Sequence, residues 1–443
     1  RVRGPGPRIR PVLPTMKEHW RSRAVSPADV VSLVGSGATL FLHGACATPL
    51  PLVEALCARR DLEGVRLYHL HTAGPAPFAE PGREREFRSV SLFTGAPLRR
   101  ASRTNDTLAP GQALVQVAGC GICHTDLGFL DQGVRTRHAL PLILGHEISG
   151  VVRAAGPGAD PLVGKAVVVP AVIPCGVCDD CRAGYSMICK KQVFPGNDCD
   201  GGWADHVVVP AAGLCEVPGG TDDFDAPLPG GTGLTLRHLA VIADAVATPW
   251  QAIRRAGVVP GSLVVVVGLG GVGGYAAQLA KVAGAHVVGI DVSKEKLAEA
   301  ASLGCGLALD PSVDDAKTLK KKIGAWAKEV GAPDTRWILL ECSGTAPGQR
   351  TAFGLLVHGA TLMVVGFTMD AIEARLSNLM AFDARALGNW GCAPELYPSL
   401  VELVLKGGID LLAHTELRPL DEVSAALDDV RGHRTHKRVV LVP

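Results

Sequence analysis

The chain has 443 residues, with 44 Lys and Arg against 43 Asp and Glu and a formal net charge of +1. This balance gives no overall field that would attract nucleic acid or an anionic membrane, and no apolar run approaches the roughly 20 residues that span a bilayer. Hydrophobic residues form 47% of the chain and charged residues 20%, which is typical of soluble α/β enzymes with several domains. We therefore expect a cytoplasmic enzyme without nucleic-acid or membrane partners.

The first 105 residues differ from the rest of the chain in composition and hydrophobic pattern. Residues 1–15 are rich in Arg, Pro and Gly and have no hydrophobic period, so we interpret them as a disordered leader. Residues 16–105 form another segment, in which the apolar run Thr39 to His43 predicts a strand and Leu50 to Ala58 predicts a helix. The segment contains no recognisable catalytic cluster.

The strings "GACATPLPLVEAL" and "HTAGPAPFAE" within this segment resemble the start of the acetyl-CoA hydrolase and 4-hydroxybutyrate CoA-transferase family. The resemblance implies a truncated α/β CoA-transferase-like unit. In that family the glutamate that accepts the acyl group lies in a later half, which this chain does not contain. A remnant or a product of gene joining is the other interpretation.

From Leu108 to about residue 240, short Val/Ile/Leu runs between Gly and Pro predict a β-rich, barrel-like unit. Strands and helices then alternate, which is typical of a parallel sheet. A helix is predicted between the first two strands, because Ala276, Leu279, Ala280 and Ala283 share one face. The predicted buried strands are Leu263 to Val267, His286 to Ile290, Trp337 to Cys342 and Thr361 to Val365.

A G-x-G-x-x-G motif directly follows the first of these strands and opens the helix. Such glycines allow a tight turn and a close approach of backbone N–H groups to a pyrophosphate at the helix N-terminus. Asp291 ends the next strand, where a carboxylate accepts ribose hydroxyls and repels a 2′-phosphate, so NAD is favoured over NADP. The motif residues are Gly268, Gly270, Gly271, Val272 and Gly273.

Four cysteines follow the pattern C-x2-C-x2-C-x7-C in a polar loop. Thiolates at this spacing can surround one tetrahedral zinc ion with no open position, as in structural sites. An iron–sulfur cluster is the competing interpretation, although the last interval and the absence of a following Pro differ from the bacterial ferredoxin pattern. The residues are Cys175, Cys178, Cys181 and Cys189.

The strings "AGCGICHTDLGF", "LPLILGHEISG" and "VVVVGLGGVGG", with the four-cysteine loop between the last two, resemble zinc-dependent medium-chain alcohol dehydrogenases over residues 108–443. The resemblance implies an α/β fold with two domains. A GroES-like, β-rich catalytic domain is expected at 106–246 and 393–443, and a Rossmann NAD-binding domain with a doubly wound parallel sheet at 247–392. It also implies two zinc ions per chain, NAD, and a homodimer or homotetramer.

The resemblance assigns roles residue by residue. Cys123, His146 and Asp244 match the ligands of a catalytic zinc ion that keeps one position for the substrate oxygen. Thr125 matches the hydroxyl that bonds the substrate oxygen, and Glu147 the acid beside the metal. Gly128 stands where many members have a histidine that relays the proton to solvent. His124 matches a pyrophosphate contact, Thr248 a residue by the nicotinamide and Lys296 a ribose contact.

Strings outside these motifs, "FPGNDCDGGWADHVVVPA", "VIADAVATPWQA" and "ECSGTAPGQ" among them, resemble one branch of the family, the 6-hydroxycyclohex-1-ene-1-carbonyl-CoA dehydrogenases of anaerobic benzoyl-CoA degradation. This implies oxidation of a secondary alcohol in a small acyl-CoA substrate. Two alternatives are a dehydrogenase for an alcohol without CoA and a CoA-transferase-related fusion with little activity.

Overall fold

The computed structural model of the chain describes residues 25–42, 48–69, 76–80, 82–83, 85–91 and 108–443. The chain divides into two compact units, Arg1–Asn105 and Asp106–Pro443. The predicted leader at 1–15 and the predicted strand end at His43 lie outside the described residues. Within the part of the chain that is described, no helix has both the length and the apolar character needed to cross a membrane.

The first unit contains a parallel sheet of three strands in the order β1-β2-β3. Its small core includes Val53, Leu67 and Phe78, which are at most 2% exposed. The predicted strand and helix of this unit are both present, the strand within the described residues. Its strands are β1 (Thr39–Leu42), β2 (Val65–His69) and β3 (Phe87–Ser91), and its α-helices are α1 (Pro27–Val31) and α2 (Leu50–Ala58), with a 3₁₀ turn at Pro77–Ala79.

The second unit contains two sheets. Its strands are β4 (Gln112–Gly121), β5 (Glu147–Ala155), β6 (Ala166–Val169), β7 (His206–Pro210), β8 (Cys215–Glu216), β9 (Leu263–Val267), β10 (His286–Ile290), β11 (Leu307–Leu309), β12 (Ile338–Glu341), β13 (Thr361–Val364), β14 (Arg385–Gly388), β15 (Thr415–Pro419) and β16 (Arg438–Val442). Its α-helices are α3 (His124–Asp131), α4 (Asp179–Arg182), α5 (Ala247–Ala256), α6 (Gly273–Val282), α7 (Lys294–Glu299), α8 (Ala316–Glu329), α9 (Ala346–Gly354), α10 (Ser377–Ala381), α11 (Tyr397–Leu405) and α12 (Val423–Arg431). Its 3₁₀ helices are Asp160–Leu162, Ser186–Ile188, Leu236–Ala243, Pro394–Leu396 and Leu420–Glu422.

The first of these sheets has seven strands, in the order β15-β16-β4-β5-β6-β8 with β7 paired to β4. Most of its pairs are antiparallel, and β4 alternates between half-buried and buried positions before it becomes fully buried at its carboxyl end. The 3₁₀ helix Leu236–Ala243 packs on this sheet, since the Ser149 hydroxyl of β5 donates to the Leu236 carbonyl at 2.6 Å. The helix ends directly before Asp244.

The second sheet has six parallel strands in the order β11-β10-β9-β12-β13-β14. Successive residues of β9 belong to different hydrophobic clusters, with Val264 in one and Val265 in the other, so both faces of the sheet are covered. Strands β9 and β10 have the predicted bounds, whereas β12 and β13 are shorter than predicted. The strand order changes direction between β9 and β12, which is where such sheets bind ligands.

Candidate active site and four-cysteine site

Asp126 connects two loops that lie far apart in sequence. One carboxylate oxygen accepts the backbone N–H of Cys123 at 2.9 Å, and the other accepts that of Gly145 at 3.3 Å. The same second oxygen lies 3.3 Å from Nδ1 of His146, and Asp126 is fully buried. Asp126 thereby brings the loop before α3 against the loop before β5, and Cys123 against His146.

His146 is buried, at 1% exposure, and neither of its ring nitrogens has a hydrogen-bond partner that satisfies both distance and angle. Its Nε2 atom lies 3.6 Å from Oδ2 of Asp244. The residue before it must be Gly145, because φ is +95° and a Cβ there would lie 2.4 Å from Trp203. An imidazole held in this way, with no partner and beside a carboxylate, has the character of a metal ligand.

One carboxylate oxygen of Asp244 lies close to both His146 and Cys123. Its Oδ1 accepts the hydroxyl of Thr248 at 2.5 Å, while Oδ2 lies 3.7 Å from Sγ of Cys123. Burial raises the pKa of Asp244, but the contacts from His146 and Thr248 outweigh burial and lower that pKa to about 2. Asp244 is therefore an ionised acceptor near neutral pH.

Glu147 completes this group, since one ligand atom from each of Cys123, His146, Glu147 and Asp244 lies within 4.8 Å of the others. Both carboxylate oxygens of Glu147 also accept from the Arg438 guanidinium, with Nε at 3.0 Å from Oε2. Burial raises the pKa of Glu147, and the positive charge of Arg438 opposes that rise. Glu147 is thus tied to a cation beside the three other donors.

The predicted neighbours of this group have distinct positions. Thr125 lies with Oγ1 3.6 Å from Sγ of Cys123, so its hydroxyl borders the donor group. The ring of His124 stacks on His433 with centroids 6.0 Å apart, and His124 is exposed. A Cβ at Gly128 would have Val134 as its nearest neighbour, at 3.6 Å, so the site has room for a Cβ.

The glycine motif forms the turn between β9 and α6. Gly268 has φ of +90°, and a Cβ there would lie 2.6 Å from the Ser343 backbone. At Gly273 a Cβ would lie 1.7 Å from the Gly268 carbonyl oxygen, whereas at Gly270 its only neighbour within 4 Å would be the Lys296 ammonium, at 3.7 Å. These close contacts explain two of the glycines by backbone packing. Gly271, just before α6, is exposed, and the N-terminus of a helix is where backbone N–H groups can bind a pyrophosphate.

Asp291 lies at the end of β10, beside this turn. Its Oδ2 accepts the backbone N–H of Leu269 at 2.7 Å, and its Oδ1 accepts that of Ser293 at 2.9 Å. The ammonium of Lys296 lies 3.8 Å from Oδ2. Each carboxylate oxygen keeps a lone pair after these bonds, so Asp291 can still accept hydroxyl groups.

The four cysteines of the polar loop meet around one point. One sulfur atom from each lies within 4.8 Å of the others, and Sγ of Cys178 is 3.4 Å from that of Cys181 and 3.8 Å from that of Cys189. A backbone N–H bond from Val177 lowers the pKa of the Cys175 thiol to about 6. Burial raises the pKa of the Cys181 thiol to about 12, so the four thiols do not ionise alike. The gathering of four sulfur donors around one point is what suits a zinc ion.

Two family profiles match the second unit. That of the alcohol dehydrogenase GroES-like domain matches residues 109–219, and that of the zinc-binding dehydrogenase matches residues 271–406. An alcohol dehydrogenase of Geobacillus stearothermophilus is 33% identical over 337 residues, which cover 75% of this chain and 92% of that enzyme. The chain belongs to the zinc-dependent alcohol dehydrogenase family.

Solved structures agree with this assignment. The alcohol dehydrogenase of Aeropyrum pernix has a TM-score of 0.66 and 26% identity, covering 76% of this chain and 94% of that one. A cobalt- and zinc-bound alcohol dehydrogenase of Pyrobaculum aerophilum has a TM-score of 0.64 and 27% identity, covering 77% and 94%. The predicted fold class of this alcohol dehydrogenase, GroES-like plus Rossmann-type, is therefore confirmed, while the predicted domain bounds stay a prediction. The likeness of its first unit to CoA-transferases stays a prediction.

The donor sets of this alcohol dehydrogenase fit zinc in two ways. Cys123, His146 and Asp244 offer sulfur, nitrogen and oxygen atoms with the partnerless imidazole between them, which suits an ion with an open position. The four thiols of the polar loop suit a zinc ion whose four coordination positions are all taken by protein ligands. Both sets consist of residues that the sequence predicted as ligands, and the structure gathers every one of them.

Sequence reasoning missed three polar residues that organise this site. Asp126 had a local signal, because an acid three positions after a helix N-cap is a capping pattern. Arg438 and Gln251 had none, since their partners lie far away in the chain. Gln251 accepts the backbone N–H of Ala393 at 2.9 Å and donates to the carbonyl of Gly391 at 3.0 Å.

Proposed function

We propose that this dehydrogenase uses NAD to oxidise the secondary alcohol of 6-hydroxycyclohex-1-ene-1-carbonyl-CoA to the 6-oxo thioester. The observation that supports the dehydrogenase chemistry is the convergence of Cys123, His146 and Asp244 within 4.8 Å. The sequence strings shared with that branch of the family support the substrate. The relatives described above support only the oxidation of an alcohol and do not identify which alcohol.

In the proposed reaction the carbinol C–H bond breaks and its hydride goes to C4 of NAD, while the O–H proton leaves and the C=O bond forms. A zinc ion held by Cys123, His146 and Asp244 would supply Lewis acidity that lowers the pKa of the alcohol. Thr125, which borders these ligands, accepts the hydroxyl proton of the substrate. Gly128 provides no side chain for the next transfer, so we propose that water takes the proton from there.

In this proposal the remaining predicted site residues bind the coenzyme. The glycine turn and the N-terminus of α6 hold the pyrophosphate, with His124 as a further contact. Asp291 accepts both hydroxyls of the adenosine ribose and disfavours a 2′-phosphate, and Lys296 contacts the same sugar. Thr248, whose hydroxyl orients Asp244, lies by the nicotinamide. Together these groups hold C4 of the coenzyme against the carbinol carbon.

We also propose a homodimer that pairs through β14. This strand is the edge of the six-stranded sheet, and three of its four residues are exposed. Large exposed apolar side chains lie shortly before it, namely Phe367 at 59%, Met369 at 66%, Leu376 at 71% and Met380 at 77%. An uncovered edge beside apolar groups favours pairing with a second copy. Sedimentation of wild type against Ala386→Lys, at an exposed position of β14, tests this, with a shift to monomer expected.

The deciding experiment measures NADH formation with the cyclic hydroxyacyl-CoA, cyclohex-2-en-1-ol and ethanol. We expect the thioester to have the highest kcat/KM, and Cys123→Ala to abolish turnover of all three. Equal kcat/KM for the thioester and for cyclohex-2-en-1-ol would favour a dehydrogenase for alcohols without CoA. Exchange of CoA between two acyl thioesters without NADH formation would instead favour the CoA-transferase alternative.

A further inference from the structure

Three aromatic rings form an arc beside the proposed zinc ligands. The ring of Phe194 contacts that of His146 edge-on, with centroids 4.9 Å apart. Phe129, on α3, lies 6.5 Å from Phe194, and Trp390, after β14, lies 6.0 Å from it. Phe194 is 6% exposed, whereas Trp390 is 48% exposed. The arc therefore runs from the donor group towards solvent.

Hydrogen bonds from two parts of the fold hold Trp390 in this position. Its indole Nε1 donates to Oε1 of Gln192 at 3.2 Å, two positions before Phe194. Nε2 of Gln251, on α5, donates to the Trp390 carbonyl at 3.2 Å. The side chain of Asn389 donates to the Thr248 carbonyl at 3.1 Å, so the same loop is anchored beside the proposed nicotinamide site.

A large ring kept half-exposed by specific bonds loses the benefit of burial unless something covers it. The exposed part of Trp390 continues the wall that Phe194 begins at His146. An alcohol with one or two carbons, bound by its oxygen at the donor group, ends near Phe194. A six-membered ring extends further along the wall and gains apolar contact with the indole.

We infer that Trp390, with Phe194, favours secondary alcohols whose carbinol carbon belongs to a carbocycle over small open-chain alcohols. The inference rests on the proposed oxidation of alcohols at this site and names the shape that the site accepts. Trp390 acts through contact with the substrate ring, so its loss changes the preference between ring and small alcohols. Loss of a purely structural residue would lower both activities alike.

The test compares kcat/KM for cyclohex-2-en-1-ol with that for propan-2-ol in the full-length enzyme. In Trp390→Ala we expect this ratio to fall by about tenfold, mainly through KM for the cyclic alcohol, since a lost apolar contact in a pocket has that size. Trp390→Phe keeps a ring and should retain the ratio within about threefold. The matched control is Trp326→Ala, a half-buried ring on α8 that packs against His286.

An unchanged ratio in Trp390→Ala overturns the inference, and so does an equal loss for both alcohols. A tenfold fall in Trp326→Ala as well would assign the effect to general destabilisation and overturns it too. If the wild-type enzyme oxidises neither the two alcohols nor the thioester, the proposed function is wrong. If the wild-type enzyme is active but the ratio of kcat/KM values is the same in Trp390→Ala, only the role of Trp390 is wrong.

Discussion

Arg438 bonds both carboxylate oxygens of Glu147, and the two side chains are buried. A Cβ at Gly121 would lie 2.0 Å from Oε2 of this carboxylate, so the strand that ends before Cys123 must carry glycine there. On its other side, Arg438 lies with Nη1 3.0 Å from the position of a Cβ at Gly271. One guanidinium therefore joins the proposed metal ligands to the nucleotide turn.

Replacing Arg438 by Met should destabilise the fold strongly, because Glu147 would stay buried without its cation. Removing one partner of a buried pair costs about 3–5 kcal/mol, whereas replacing both is often nearly neutral. Urea unfolding should show such a loss for Arg438→Met and recovery of most of it in the Arg438→Met/Glu147→Leu double variant.

The control for this pair is Arg431→Met, which breaks the ion pair of Arg431 with Asp131, where the side chains are 44% and 39% exposed. Surface pairs contribute about 0–1 kcal/mol, so this variant should unfold close to wild type. A loss for Arg438→Met no larger than that for Arg431→Met would contradict the buried-pair argument.

Two zinc ions per chain with unequal roles are the second prediction. Chelation should abolish activity before it unfolds the protein, because the Cys123 set keeps an open position and the four-cysteine set is closed. Cys178→Ser should lower the melting temperature and the zinc content by one ion, since it removes one of four thiolates from a loop with little core of its own.

Metal analysis and thermal unfolding check this prediction, with Ser186→Ala in the same loop as the control. Ser186 opens a 3₁₀ turn without belonging to the ligand set, so its variant should keep both ions. One zinc ion or none in active wild-type protein would refute the two-site interpretation. Retention of both ions in Cys178→Ser would refute the ligand assignment.

The parts of the fold that were predictable from the sequence are those with local signals. The run of valines before Gly268 predicted β9, because such a run followed by a glycine turn is typical of a fully buried parallel strand. The approach of Cys123, His146 and Asp244 had no local signal and came from family resemblance. The arc of Phe129, Phe194 and Trp390 could not be predicted, since it depends on which loops meet.

Asp126 should control the affinity of the Cys123 set for zinc. Its carboxylate fixes the loop of Cys123 and lies 3.3 Å from Nδ1 of His146, the ring nitrogen that points away from Asp244. Loss of a carboxylate behind a metal-bound histidine typically weakens metal binding by about 10–100-fold. Competition with a chromophoric chelator should show this loss in Asp126→Asn. Asp131→Asn, at the other end of α3, should bind zinc like wild type; equal affinity of all three proteins would refute the role.

The preference for NAD should depend on the charge of Asp291. This carboxylate is 8% exposed and is fixed by the N–H groups of Leu269 and Ser293, so it cannot turn away from a 2′-phosphate. In Asp291→Ser the repulsion is lost and Lys296 stays close by, so kcat/KM with NADP should rise relative to that with NAD by about tenfold or more. The measurement is the ratio of the two kcat/KM values with one alcohol. Glu329→Ser, which removes an exposed acid at the end of α8, is the control and should leave the ratio unchanged. If Asp291→Ser keeps the wild-type ratio while its activity with NAD remains measurable, the carboxylate does not set coenzyme choice.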